Sequence, residues 1–500
     1  MKRRTFLGTL GMSASLALTG PLISTAATKT PHSPNILWII SDDHSRNDLG
    51  CFGHPLVKTP NIDRLASEGM RFTNAFAVAP TCAPTRSGLI TGMYPISIGA
   101  HNQRNDGAIL PGYVRLLPEY FREAGYFCVN TTWDIKRPGK TDYQFQFKRE
   151  ATYERATDWV ERKRGQPFFA QVQISEPHRP FKTDIESPID PSKINLPPQY
   201  PDDPIVRIDF AQYLESIQLL DRKVGRVLNK LDQGGDSDDT IVFFFSDQGR
   251  PFPRGKQFLY DEGLAIPLVI RWPGKLQPGS ACTDLVSMVD FAPTCLHLAG
   301  LNVPGHIQGR AFLAKAVSKR EYIFASRDRV DDAVDRIRCL RTKRYKYIRN
   351  YYPELPYDQD ETYMVMMHPT LAALKKYNKV GKLTPAQSKW MARHRPKDEL
   401  YDVQHDPHEL HNLADNPQYR KLLHSFQEKL DHWIRETDDR GRKPEDEDFI
   451  AKVRKDYQLR LFKTLQQRGL TSPTELYDYW RRTLKRTLLK EKTNQIYKRK

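Results

Sequence analysis

Two stretches of this chain, Asn35 to Ile40 and Thr240 to Phe245, are nearly unbroken runs of aliphatic and aromatic residues, and each ends in Ser-Asp: Ser41-Asp42-Asp43-His44 and Ser246-Asp247-Gln248-Gly249. A strand without polar alternation has no face to offer water, so such runs fit the middle of a sheet covered on both sides. A third run, Pro167 to Ile174, ends in Ser175-Glu176-Pro177-His178. Between them, Leu214, Ile217, Leu220, Val224 and Leu228 recur at three- and four-residue spacing within Ile208 to Leu231, the stripe of an amphipathic helix. Strands alternating with helices predict an α/β architecture: a large mixed, mostly parallel sheet sandwiched by helices. Ligands of such sheets bind beyond the C-terminal strand ends, where this chain concentrates its ionisable residues.

Five hundred residues exceed what one core usually organises. The alternation gives out after about residue 325. Asp335 to Tyr352 reads as an antiparallel pair, Glu399-Leu400-Tyr401-Asp402 as a short strand, and Tyr419 to Glu436 as an amphipathic helix. The expected organisation is a large α/β domain over 33–330, a smaller α+β domain over 331–440 and a basic helical extension over 441–500. The formal charge is +17, and the extension holds 17 Lys and Arg against 8 Asp and Glu, more than half the excess. Such a tail is expected to be a solvated helical face, with polyanion or partner contact as the sharper option. The remainder is only mildly basic, which permits steering of an anionic substrate but gives no sign of a nucleic-acid partner.

Met1-Lys2-Arg3-Arg4-Thr5-Phe6-Leu7 sets an arginine pair before a short apolar stretch, and small residues follow to Ser24-Thr25-Ala26-Ala27. Residues 1–27 therefore read as an export signal of the twin-arginine type, and the mature protein is expected in the bacterial periplasm or outside the cell. No stretch approaches eighteen apolar residues, so no membrane span is expected. The six cysteines, Cys51, Cys82, Cys128, Cys282, Cys295 and Cys339, show neither a metal-ligand spacing nor a disulfide framework.

Asp42, Asp43, Asp247 and Gln248 would offer three carboxylates and an amide oxygen at two strand ends, a set suited to a hard cation such as Ca²⁺ or Mg²⁺. In Thr81-Cys82-Ala83-Pro84-Thr85-Arg86, Pro84 suits a first helical turn, which puts Cys82 at a helix N-terminus where backbone N–H groups favour an anion. Arg86 would lie one turn on, placed to pair with whatever group residue 82 carries. Read alone, Cys82 is either an activated cysteine nucleophile or a small buried hydrophobe.

Cys82-Ala83-Pro84-Thr85-Arg86 with Leu89-Ile90-Thr91-Gly92 resembles the signature of the type I sulfatases of the alkaline phosphatase superfamily. Asn35 to Asp43, Thr59 to Ala66, Ser246 to Gly249, Leu400-Tyr401-Asp402, Asp406-Pro407 and Asn412-Leu413-Ala414 follow in the family's order. The resemblance implies that Cys82 is oxidised to formylglycine by a formylglycine-generating or sulfatase-maturing enzyme. It implies one divalent cation, Ca²⁺ ahead of Mg²⁺, held by Asp42, Asp43, residue 82, Asp247 and Gln248. Arg86 takes the place of the arginine that anchors the formylglycine, and Lys140 that of an active-site lysine. His178, in Glu176-Pro177-His178-Arg179-Pro180, takes that of a histidine that protonates the leaving group or binds sulfate. Lys256, in Pro253-Arg254-Gly255-Lys256, takes that of a second sulfate-binding cation. His101 either reaches the pocket or is structural. Two positions depart from the pattern: Lys140-Thr141-Asp142 replaces a common Lys-Trp-His, and Gln248 replaces the usual Asn or His.

Ser246 to Lys256 and Pro177-His178-Arg179 are similar to the heparan N-sulfatase branch. The implied activity is hydrolysis of sulfate esters or sulfamates on a sulfated saccharide, as in glycosaminoglycan degradation. The alternatives are a phosphate or phosphonate ester hydrolase on the same scaffold and an unmodified glycan-binding pseudoenzyme.

Overall fold

A computed structural model describes residues 33–105 and 107–484. The export signal read at 1–27 lies outside the described residues. The larger sheet contains β1 (Asn35–Ser41), β2 (Met70–Phe76), β3 (Phe127–Thr132), β4 (Phe168–Gln173), β5 (Thr240–Ser246), β6 (Leu268–Arg271) and β7 (Ser280–Ser287), in the spatial order β3-β4-β1-β5-β6-β2-β7. β1 lies near the middle, parallel to β4 on one side and β5 on the other, and β6 alone runs antiparallel to its neighbours. The layered α/β reading therefore holds.

The apolar runs are where their composition requires them. Every residue of β1 and β5 is buried, and Trp38 packs edge-on against Phe169 and Phe245 at ring-centroid distances of 5.1 and 5.6 Å. The Pro204–Gln233 helix is one element of thirty residues, started by Asp203, whose side chain accepts a hydrogen bond from Ile205 N. It packs on the Pro60–Glu68 helix, and Asp221 fastens the two by accepting from Asn61 N and Ile62 N.

A second, wholly antiparallel sheet contains β8 (Ile323–Arg327), β9 (Ile337–Arg341), β10 (Tyr345–Asn350) and β11 (Asp398–Asp402), in the order β11-β10-β9-β8. Its edge strand β8 begins before residue 331, and the described residues from Pro34 onward form one compact unit. The C-terminal extension is packed as well as solvated. Leu465, Leu470, Leu476 and Leu484 are buried, while most charged side chains of the Glu447–Gln467 helix face water. Among the described residues no helix is long and apolar enough to cross a membrane.

Candidate active site

The site is built by strand register. β1 and β5 pair in parallel with Ile40 opposite Phe245 and Ser41 opposite Ser246, so the two Ser-Asp ends leave the sheet side by side. The crossing hydrogen bonds continue past the strands: Asp247 N donates to Ser41 O, His44 N to Gln248 O and Asp43 N to the Asp247 Oδ1. Asp43 turns into the left-handed region at φ 66°, which sends its carboxylate back toward its neighbours. Asp42, Asp43 and Asp247 thereby offer oxygens within 4.8 Å of one another, and all three are buried.

The Cys82–Thr91 helix delivers Cys82 to this cluster as its first residue. Thr81 stands before it in extended conformation, Ala83 N donates to the Gln103 Oε1, and all ten helical residues are buried. Cys82 Sγ lies 3.5 Å from the Asp42 Oδ1, 3.3 Å from the Gln248 Nε2 and 3.8 Å from the Lys256 Nζ. Burial pushes the Cys82 thiol up to about 12, which favours the neutral form of the unmodified residue.

Arg86 lies within electrostatic reach of Cys82, and its hydrogen bonds go to the strand ends. Its Nε donates to the Asp247 Oδ2 at 2.8 Å, its Nη1 to the Gln173 Oε1 at 2.8 Å, and its Nη2 lies 3.7 Å from the Asp42 Oδ2. A buried guanidinium turns toward the ionised oxygens within reach, and these belong to the strand ends. Lys140 Nζ reaches the Asp42 Oδ2 at 2.6 Å, and Lys256 Nζ bridges both oxygens of Asp43 at 2.7 and 2.8 Å. Burial works against both ammonium charges, but Asp42 and Asp43 respectively overcome it and hold the two lysines above their ordinary range. Burial likewise pushes Asp42 up, and Lys140, His178, Arg86 and Lys256 outweigh it, keeping this carboxylate ionised. Asp247 moves the other way, pushed up by burial and by the charge on Asp42.

His178 Nδ1 donates to Arg179 O at 2.6 Å, which leaves Nε2, 3.8 Å from the Asp43 Oδ2, facing the cluster. Burial and Lys256 push its pKa below the usual histidine value. Its neighbour Arg179 is held away by a two-pronged pair with Asp209 and does not enter the cluster. Gln248 Nε2 donates to Asp43, whereas its Oε1 is buried with no partner among the described residues. Which end of the amide faces the carboxylates is an assignment, so the partnerless oxygen is the acceptor a bound cation would satisfy. The donor set is all oxygen apart from residue 82 and fits a hard cation.

His101 lies elsewhere, among Asp328, Arg338, Asp439 and Glu445. Asp142, in the place of the family histidine, pairs with Arg104 and sits 3.5 Å from the Lys140 Nζ. Sequence reasoning did not single out Gln173, Gln103, Arg104 or Tyr363. For Gln173 a signal existed: Gln171 and Gln173 alternate in a strand buried on both faces, where an amide must be bonded to something. For Tyr363, whose ring lies 5.3 Å from the Lys256 Nζ, no local signal exists.

The sulfatase family matches residues 34–301, and the family of N-sulphoglucosamine sulphohydrolase C-terminal regions matches residues 254–379. An ulvan-active sulfatase of Formosa agariphila is 36% identical over 471 residues, spanning 84% of this chain and 78% of that protein. Human N-sulphoglucosamine sulphohydrolase is 26% identical over 464 residues, spanning 81% of this chain and 90% of that protein. The solved phosphonate monoester hydrolase of Agrobacterium radiobacter superimposes with a TM-score of 0.60 over 81% of this chain and 96% of that one, at 20% identity. At that identity the likeness is one of fold.

Proposed function

The chain belongs to the sulfatase family and is a sulfuric ester hydrolase, and from that premise we propose that it removes sulfate from a sulfated glycan such as a heparan-type saccharide, as ester or sulfamate. In this reading Cys82 is converted to formylglycine by a dedicated maturing enzyme, and Asp42, Asp43, Asp247, Gln248 and residue 82 hold one divalent cation, Ca²⁺ ahead of Mg²⁺. The observation that carries it is the meeting of three buried carboxylates with Cys82 at the first position of a buried helix. The glycan assignment is supported by relatives named for ulvan and for N-sulphoglucosamine.

When present, the formylglycine supplies a hydroxyl nucleophile, and the cation supplies the charge that activates it and neutralises sulfate oxygens. The remaining work falls to this chain's own groups. Arg86 holds Asp247 and Gln173 in place beneath the cluster. Lys140 and Lys256 bring two ammonium charges to the side where an anionic group is attacked. His178, with its Nδ1 proton engaged by a carbonyl, has Nε2 free to carry a proton to the departing oxygen or nitrogen. The amino-terminal segment supports export of the folded enzyme to the periplasm or beyond, with modification of Cys82 completed first.

The test is mass spectrometry of the peptide spanning residue 82, from protein made in a host with sulfatase maturation, joined to assays on defined sulfated oligosaccharides and a phosphonate ester. The expected result is formylglycine at residue 82, sulfate release that a chelator abolishes and Ca²⁺ restores, and slower turnover of the phosphonate. An active enzyme with unmodified Cys82, or faster turnover of the phosphonate, would sink the reading.

A further inference from the structure

Tyr363 lies on the short Thr362–Met367 helix of the C-terminal region, and two acidic side chains latch that helix onto the site. Glu361 accepts from Tyr363 N at 2.8 Å and Met364 N at 2.9 Å, and its Oε2 also accepts from the Gln257 Nε2 at 2.7 Å. Gln257 directly follows Lys256 and takes a left-handed conformation at φ 74°. Asp332 accepts from Thr362 N and from its Oγ1. One latch therefore fixes both the lysine that holds Asp43 and the tyrosine beside it.

The ring of Tyr363 lies against the Lys256 ammonium, 5.3 Å from centroid to Nζ, and 6.1 Å from the His178 ring. Its hydroxyl is shielded from solvent, has no hydrogen-bond partner among the described residues, and stands within electrostatic reach of Lys256, Asp43, Arg179 and Cys82. Both Asp43 oxygens already accept from Lys256 and Arg179 O from His178, while His368, its ring 5.3 Å from that of Tyr363, also has its Nε2 buried without a partner among the described residues. A buried hydroxyl in a native structure needs a partner, and here a ligand oxygen is the one still to come.

We propose that Tyr363 is a substrate-binding residue of this sulfatase site, its phenolic hydroxyl donating to an oxygen of the bound sulfo group beside His178. The inference rests on the sulfatase reading and adds to it a contact from the C-terminal region. A neutral donor suits this position, because the cationic side chains around it are already drawn to carboxylates and a hydroxyl adds a bond to the anion without further charge to bury.

Tyr363→Phe keeps the ring against Lys256 and removes only the hydroxyl. In the matured holoenzyme, kcat/KM for a sulfated saccharide is expected to fall roughly 10- to 100-fold, the loss of one hydrogen bond to a charged group. The inhibition constant of inorganic sulfate is expected to rise about fivefold or more, and the melting temperature without ligand should stay level or rise, since no protein partner is lost. Unchanged kcat/KM and sulfate affinity overturn the proposal. So does a lowered melting temperature with unchanged sulfate affinity, which marks a structural hydroxyl. The wild-type enzyme separates the two readings: if it hydrolyses no sulfate ester, the sulfatase mechanism fails, whereas an active wild type matched by the variant removes only the role of Tyr363.

Discussion

Asp439 shows how single buried charges are tolerated in this protein. It accepts from the Arg338 Nε and Nη2 at 2.9 and 2.8 Å and from the Arg336 Nη2 at 3.0 Å. Burial pushes the carboxyl up, and the two guanidinium groups outweigh it, bringing its pKa down to about 2. Because the folded value lies below the unfolded one of ~3.9, the clamp contributes fully above about pH 5 and is lost as pH falls to about 2 and below, about 2–3 kcal/mol in all. Melting temperatures between pH 5 and pH 2 should show this step, and Asp439→Asn should flatten it. At neutral pH the same variant should lose about 1–3 kcal/mol, because Arg338 keeps its pair with Asp328 at 2.9 Å but loses the charge that Asp439 sets against it. Cys82 is the opposite case. Its thiol makes only the weak contacts of a neutral sulfur, so Cys82→Ala should keep the wild-type melting temperature within a few degrees while sulfate release disappears. Residual hydrolysis above the uncatalysed rate would place the nucleophile elsewhere.

At the scale of elements, the ends of β1 and β5 matter most, and a glycine lets them close. Gly249 N donates to Gly263 O, Arg250 N donates to Glu262 O, and a Cβ on Gly249 would meet Glu262 O at 2.0 Å. The clash is with backbone, which cannot rotate away, so Gly249→Ala must move the strand end that carries Asp247 and Gln248. The expected cost is about 1–3 kcal/mol of stability, with Ca²⁺ affinity weakened about tenfold or more. A thermal-shift titration with Ca²⁺ reads both, and wild-type values for both would show that the strand end does not depend on this approach. The runs of β1, β4 and β5 were legible because burial on both faces leaves a plain compositional mark. Their partners along the sheet were not, since β6 and β2 are short or half-buried and carry no such mark.

Over the whole molecule, the C-terminal extension closes onto the catalytic side. Arg329 pairs with Glu445, Tyr457 donates to the Asp331 Oδ1 at 2.8 Å, and the Arg468 Nη1 donates to Met366 O at the end of the Tyr363 helix. With four leucines buried besides, each worth about 1.5–3 kcal/mol, truncation after Arg442 should lower the melting temperature by many degrees and cost activity together with stability. A truncated enzyme with full activity and unchanged melting temperature would reduce the extension to the solvated face that its charge suggested. Composition showed the excess of lysine and arginine but not the leucines beneath, because a stripe of single leucines spread over helix and loop has weak periodicity.

The sequence by itself named the members of the cluster. Two apolar runs ending in Ser-Asp put carboxylates at strand ends, and a proline just inside a helix start puts Cys82 at its first position; both are local consequences of chain geometry, whereas the parallel register that sets the two ends side by side is not. The tertiary structure alone decided what surrounds that cluster. It turned Arg86 toward Asp247 and Gln173, left His101 among Asp328 and Arg338, and brought Tyr363 beside Lys256. Those choices join residues about a hundred or more positions apart, with ion-pair geometry and a shared hydrogen-bond latch setting each partner, and neither leaves a pattern within any short stretch of chain.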